Sequence, residues 1–165
     1  MLKDVELREV MRRWVSGVAI LTTGDHMQQH GMTVSSFTSI SVDPPMVTVT
    51  LNNATRTKQL VDTTGSFAIN LLSEGQEELS ERFAGRVSDH VNRFDGVRVQ
   101  YSPEDIPMLP DAAAYVLCRV VYTYAMANST LYIAEVIRSI KAANHPPLVY
   151  FDRSYHRIEN GHKTE

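Results

Sequence analysis

Hydroxyl side chains crowd one short stretch of this chain. Thr33, Ser35, Ser36, Thr38, Ser39 and Ser41 place six hydroxyls in nine positions, preceded by Gly31 and Met32 and closed by Asp43, Pro44 and Pro45. A strand buried on both faces would normally use valine and isoleucine there. Hydroxyls and small side chains instead suit close approach of backbone to a polar ligand. Main-chain N–H groups beside them can bind phosphate oxygens or the carbonyl edge of a ring. In an unbroken strand Thr33, Ser35, Phe37 and Ser39 share one face, and Val34, Ser36 and Thr38 the other. Composition alone favours a solvated strand rich in serine and threonine; the order of the residues is what points to a ligand.

The remaining chemistry-bearing residues exclude more than they suggest. Cys118 is the only cysteine, so no intrachain disulfide and no thiolate metal cluster can form. It sits in an apolar run and reads as a buried small side chain. His26 and His30 are four apart but flank a polar turn, and they read as solvated. His90, His145, His156 and His162 show no ligand spacing, so no metal site is expected. Glycine-rich dinucleotide and phosphate loops are absent. With 16 basic and 19 acidic residues the net charge is −3, which lacks the concentrated basic surface that nucleic acid or an anionic membrane requires. The opening Lys3, Asp4, Glu6, Arg8 and Glu9 do not read as a signal peptide, and no apolar run approaches membrane-spanning length. Cytoplasm is the expected location.

Hydrophobic period supplies the elements that must position these residues. Residues 5–15 read as an amphipathic helix, with Asp4 as cap, Gly17 as stop and Trp14 on the core face. The period then changes to two. Strands are expected over residues 18–23, 32–42 and 46–51, forming a meander with short links. Thr55 caps a helix that Gly65 ends, and Phe67, Ile69 and Leu71 mark another strand. Ser73 with Gln76 has capping-box spacing for a helix closed by Gly85. A strand over 97–101, a hairpin of 115–124 with 130–140, and a last strand over 148–151 complete the reading. About seven strands and three helices, without regular alternation, exclude a doubly wound parallel sheet. An antiparallel barrel would remove exposed edges. The chain of 165 residues suits one domain, 1–165.

The stretch from Gly31 to Pro45 closely resembles the flavin reductase family, the short split-barrel reductases that supply reduced flavin to partner monooxygenases. Other stretches resemble that family in the same order: residues 17–23, 67–72, Arg82 to Gly85, 130–136, and 147–151 with Arg153 and Tyr155. The resemblance implies a mainly β FMN-binding split barrel of antiparallel, Greek-key-like strands with short helices. It implies FMN or FAD as cofactor and NADH or NADPH as reductant. It also implies a homodimer, and a monooxygenase partner reached by diffusible reduced flavin.

By the same resemblance, Thr33, Val34, Ser35 and Ser36 line the flavin ring and ribityl region, and Thr50, Leu51, Asn52 and Asn53 face the cofactor. Arg56 and Thr57 reach its phosphate, where a forked donor and a helix N-terminus favour an anion. Phe83, Ala84 and Gly85 pack near the flavin tail. Tyr150, Arg153 and Tyr155 contribute to the nicotinamide side. Ser129, at a position where similar reductases carry histidine, also falls on the nicotinamide side; no catalytic acid or base is assigned, because the cofactors carry the hydride. A flavin-storage or sensor protein on the same barrel would present the same flavin segment. Ser36→Ala is expected to weaken flavin binding more than Ser102→Ala, because Ser102 lies in a connecting loop.

Overall fold

Alternation places two sets of apolar residues on opposite sides of the same strands, and both sets are buried. The computed structural model describes residues 5–85, 92–142 and 145–158. Its elements are α1 (Leu7–Met11), β1 (Ser16–Gly17), β2 (Ala19–Gly24), β3 (Gln29–Val34), β4 (Thr38–Val42), β5 (Pro45–Asn52), α2 (Arg56–Thr64), β6 (Ser66–Leu71), α3 (Glu77–Phe83), β7 (Gln100–Tyr101), β8 (Pro107–Met108), β9 (Ala114–Ala125), β10 (Ser129–Lys141), β11 (Val149–Phe151) and β12 (Ser154–His156). Seven strands form one antiparallel sheet in the order β3-β2-β6-β9-β10-β5-β4. A small sheet, β1-β11-β12, and the β7-β8 pair lie outside it. The chain is therefore mainly β with a few short helices, and the large sheet is not closed by a ladder between its edges.

The main core sits on one face of that sheet. Leu21, Val34, Val49, Leu51, Phe67, Ile69 and Tyr132 meet there. On the other face Ile20, Leu72, Phe83, Leu109 and Leu148 form a second cluster. Asn70 is wholly buried on β6, and every polar atom of its amide is used. Its Nδ2 donates to Ile20 O at 2.8 Å and to Thr22 Oγ1 at 3.0 Å, while Oδ1 accepts from Leu109 N at 2.7 Å. Such a satisfied buried amide fixes the segment around β8 to the sheet.

The helix α2 follows its sequence signals. Thr55 Oγ1 accepts from Lys58 N at 3.3 Å, and Gly65 ends the helix at φ 65°. Tyr132 Oη donates to Asp62 Oδ1 at 2.5 Å, and Lys58 Nζ meets Asp62 Oδ2 at 2.5 Å, which ties α2 to β10. The α3 capping box forms only by half. Ser73 N donates to Gln76 Oε1 at 2.8 Å, whereas Ser73 Oγ turns to Asp111 O. The helix accordingly starts after Gln76.

Four sequence expectations change. The amphipathic helix over 5–15 shrinks to α1, and Trp14 is 70% exposed rather than core, because nothing among the described residues covers that face. The single strand over 32–42 is two strands on opposite edges of the sheet, so the expected meander breaks at Ser35. Only Gln100–Tyr101 of 97–101 is strand. Ser102 is buried, and its Oγ accepts from Glu104 N and Ile106 N in a turn. The expected Asp4 cap, His90 and His162 lie outside the described residues. Among the described residues no helix is long and apolar enough to cross a membrane.

Burial alone would raise the Asp62 carboxyl, but bonds from Lys58 and Tyr132 outweigh it and hold the group below its usual range. A lowered carboxylate stabilises the fold above its unfolded pKa of about 3.9 and loses that contribution as pH falls through the native value. Tyr132→Phe should therefore cost about 1.5 kcal/mol at neutral pH, the low end for bonds to charged groups given the exposed Asp62. The gap between wild type and variant should shrink below about pH 4, as measured by urea unfolding across pH.

Candidate functional site

Two hollows open beside the β3 strand and meet at Thr33 and Ala84. The first, of about 350 Å³, lies between β3, the start of α2 and the end of α3. His30, Met32 and Thr33 come from β3, and Ala54, Thr55, Arg56, Thr57 and Gln59 from the α2 end. Phe83, Ala84, Gly85 and Arg93 close the far wall. The second, of about 160 Å³, is walled by Val18, Thr33, Val34 and Ser35 with Ser80, Glu81, Ala84, Tyr150 and Tyr155.

Charge and hydrogen bonding distinguish the two. The first hollow gathers two guanidinium groups, an imidazole and the N-terminus of a nine-residue helix. Helix N-termini carry unpaired N–H groups and a partial positive charge, so this wall suits an anion. Buried Thr57 is held by His30, Nδ1 to Oγ1 at 2.7 Å. Arg93 donates to Gly31 O at 3.0 Å and Phe83 O at 3.2 Å, bracing the wall. Arg56 is exposed and makes no hydrogen bond or ion pair among the described residues.

Phe83 reaches the wall because residue 31 has no side chain. A Cβ on Gly31 would lie 3.0 Å from Leu21 O and 3.0 Å from the Phe83 ring. Phe83 in turn stacks edge-on with Phe94, centroids 5.1 Å apart. The second hollow is more aromatic. Tyr155 Oη donates to Glu81 Oε1 at 2.7 Å and lies 2.9 Å from Ser80 Oγ, while Thr33 Oγ1 donates to Ser80 O at 2.6 Å. Burial pushes the Tyr155 phenol above its usual range, so it stays a neutral donor at physiological pH.

Most of the expected flavin residues gather here. Thr33, Arg56, Thr57, Phe83, Ala84 and Gly85 line the first hollow, and Thr33, Val34, Ser35, Tyr150 and Tyr155 the second. Others stand outside both. Leu51 is wholly buried core. Ser36 Oγ donates to Thr50 O at 3.0 Å and accepts from Thr50 N at 3.1 Å, stitching the chain after β3 to β5. Asn52 Oδ1 caps Ala54 N. Asn53 Nδ2 donates to Met126 O and its Oδ1 accepts from Thr130 Oγ1, clamping the β9-β10 turn where Ser129 pairs with Asn52. Arg153 meets Glu9 at 3.4 Å.

His30, Arg93, Gln59, Ser80 and Glu81 went unread in the sequence as site residues. His30 was expected to be solvated beside a turn; it is instead a wall residue, since β3 begins one position before it. Its one legible signal was its place directly before Gly31 and the hydroxyl-rich run. Cys118 is buried as expected, and burial pushes its thiol up to about 12.

A model of the flavin reductase like domain matches residues 11–159. An NADH-dependent flavin reductase of a Rhodococcus species is 32% identical over 158 residues, covering 94% of this chain and 86% of that one. The reductase component of an FADH2-dependent resorcinol hydroxylase from a Rhizobium species is 34% identical, covering 90% and 83%. The solved structure of the Streptomyces globisporus NADH:FAD oxidoreductase SgcE6 with NAD and FAD fragments superposes with a TM-score of 0.87 at 26% identity, covering 96% and 98%. The chain belongs to the flavin reductase family.

The bonds of Ser36 and Ser102 and the full burial of Leu51 give those residues structural tasks. Ser36→Ala and Ser102→Ala should each lower stability by about 1 kcal/mol, so Ser102 is no neutral control for Ser36. Leu51→Ala should cost about 2–5 kcal/mol by leaving a cavity. Urea midpoints at constant slope would check all three.

Proposed function

We propose that this protein is an NADH-dependent flavin reductase that delivers reduced FMN or FAD to a monooxygenase. The observation that carries this reading is the meeting, at Thr33 and Ala84, of a cationic hollow with an aromatic one. A flavin nucleotide has the matching chemistry: an anionic phosphate at one end and a flat ring at the other. Arg56, Arg93, Thr55 and Thr57 would hold the phosphate at the start of α2. Met32, Thr33 and residues Phe83, Ala84 and Gly85 would flank the ribityl chain. Val34 and Ser35 would support the ring, with Tyr150 and Tyr155 on the side where the nicotinamide arrives.

When bound, the nicotinamide and the flavin would supply hydride-transfer chemistry, the first as donor and the second as acceptor. The chain's own work is orientation and polarisation. Main-chain N–H groups of residues 33–36 would face the ring edge where negative charge grows. Neutral Tyr155, fixed by Glu81 and Ser80, would keep its phenol from sharing that negative charge. No residue is required as acid or base; Ser129, at the histidine position of similar reductases, would change how the nicotinamide is held.

Five further readings belong to this proposal. The chain acts as one domain, 1–165, and its curled sheet works as a split barrel. It pairs as a homodimer, supported by exposed Tyr122, Tyr124 and Trp14. Reduced flavin reaches the oxygenase by diffusion. The protein resides in the cytoplasm.

Purified protein should consume NADH when FMN or FAD is added. Measurable flavin binding without turnover, with NADH or NADPH and either flavin, would leave only the storage reading. Arg56→Ala should weaken flavin affinity roughly tenfold or more, from loss of a bond to a charged oxygen worth about 1.5–3 kcal/mol. Because Arg56 is exposed, its thermal midpoint should stay put.

A further inference from the structure

A third hollow, of about 300 Å³, opens on the other side of Arg56 and Gln59. Those two residues wall both it and the cationic hollow; Gln28, Leu60 and Thr63 complete it. The two spaces therefore continue past Arg56 over the exposed flank of α2. We propose that this continuation holds the adenylate half of FAD, so that the protein prefers FAD over FMN. The inference rests on the flavin reductase reading.

Charge at the shared wall supports a diphosphate. The α2 helix carries two cations, and Lys58 is occupied by Asp62 at 2.5 Å. Arg56 has no such partner among the described residues, and it stands where the linkage between the two hollows must pass. A planar fork of donors can bridge adjacent phosphate oxygens. FMN ends in one phosphate and has nothing to place beyond that wall.

The third hollow has the features of an adenosine site. Leu60, only 8% exposed, gives it an apolar floor for a flat base. The Gln28 and Gln59 amides each offer a donor and an acceptor, and neither side chain is used elsewhere among the described residues. Gln28 is held in place by its own turn, where Asp25 Oδ1 accepts from Gln28 N at 2.9 Å and Asp25 N donates to Gln28 O at 2.9 Å. The cationic hollow alone, about 350 Å³, is at the small end of ligand cavities, which run about 300–1,000 Å³.

Thr63 and Gln28 line only the third hollow, so they separate the two halves of the ligand. Calorimetric titration of the full chain with FAD and with FMN should give FAD about tenfold tighter. Thr63→Trp, which fills the hollow from an exposed helix position, should erase that advantage and leave FMN affinity unchanged. Gln28→Ala, a milder change, should reduce it several-fold. Equal affinity for the two flavins in the wild type, or variants that weaken both alike, would overturn the proposal while leaving the flavin reading intact. If Thr63→Trp instead raises the KM for NADH with FMN as acceptor, the adenylate bound there belongs to the nicotinamide, and the proposal also fails. Binding of neither flavin would overturn both readings.

Discussion

Three residues between β3 and β4 set the shape of this protein. Those strands occupy opposite edges of a seven-stranded sheet. Laid flat, edges six strand spacings apart would be about 29 Å from one another. The chain from Val34 to Thr38 has four steps and spans at most about 14 Å. The sheet must curl until its edges approach, and Ser36 secures the approach by bonding both polar groups of Thr50 on β5. Curling gives the sheet an inside, and the inside is the core of Leu21, Val49, Phe67 and Tyr132.

The site follows from that curl. Once β5 is drawn toward β3, the helix that leaves β5 has to begin beside β3. The His30–Thr57 bond records the contact, and the anion-favouring end of α2 faces the strand that carries the hydroxyls. The third wall comes from outside the sheet. Phe83 closes on β3 at the bare Gly31, and Arg93 pins both backbones with one guanidinium nitrogen. Three segments far apart in sequence thus make a single rim. None of them forms a pocket alone.

Part of the chain remains uncovered. Among the described residues α1 and the far half of β9 hold no buried side chain. Tyr122, Tyr124, Val10 and Trp14 are exposed. The α1 segment is still tied down at its end, through Arg12 Nε to Asp152 Oδ1 at 2.6 Å and Asp152 N to Arg12 O at 3.3 Å.

Local order in the sequence determined the elements whose signals are local. The strands expected over 18–23 and 67–71, the Thr55 cap, the Gly65 stop and the hairpin of 115–124 with 130–140 all appear within a residue or two of where the residues imply. The order of residues 31–45 carried the family, and through it most of the rim. What sequence could not show was adjacency. The hydroxyl-rich run reads as one strand because its period never breaks, yet curling the sheet forces it to cross from edge to edge at Ser35. Leu51 and Ser36 are cofactor residues by resemblance, and only the fold shows the Leu51 side chain in the core and the Ser36 hydroxyl bonded to Thr50. His30 and Arg93 have no periodic signature at all. They line the hollow only because a short link bends a sheet, and a bend of that kind depends on strand order, which no window of sequence contains.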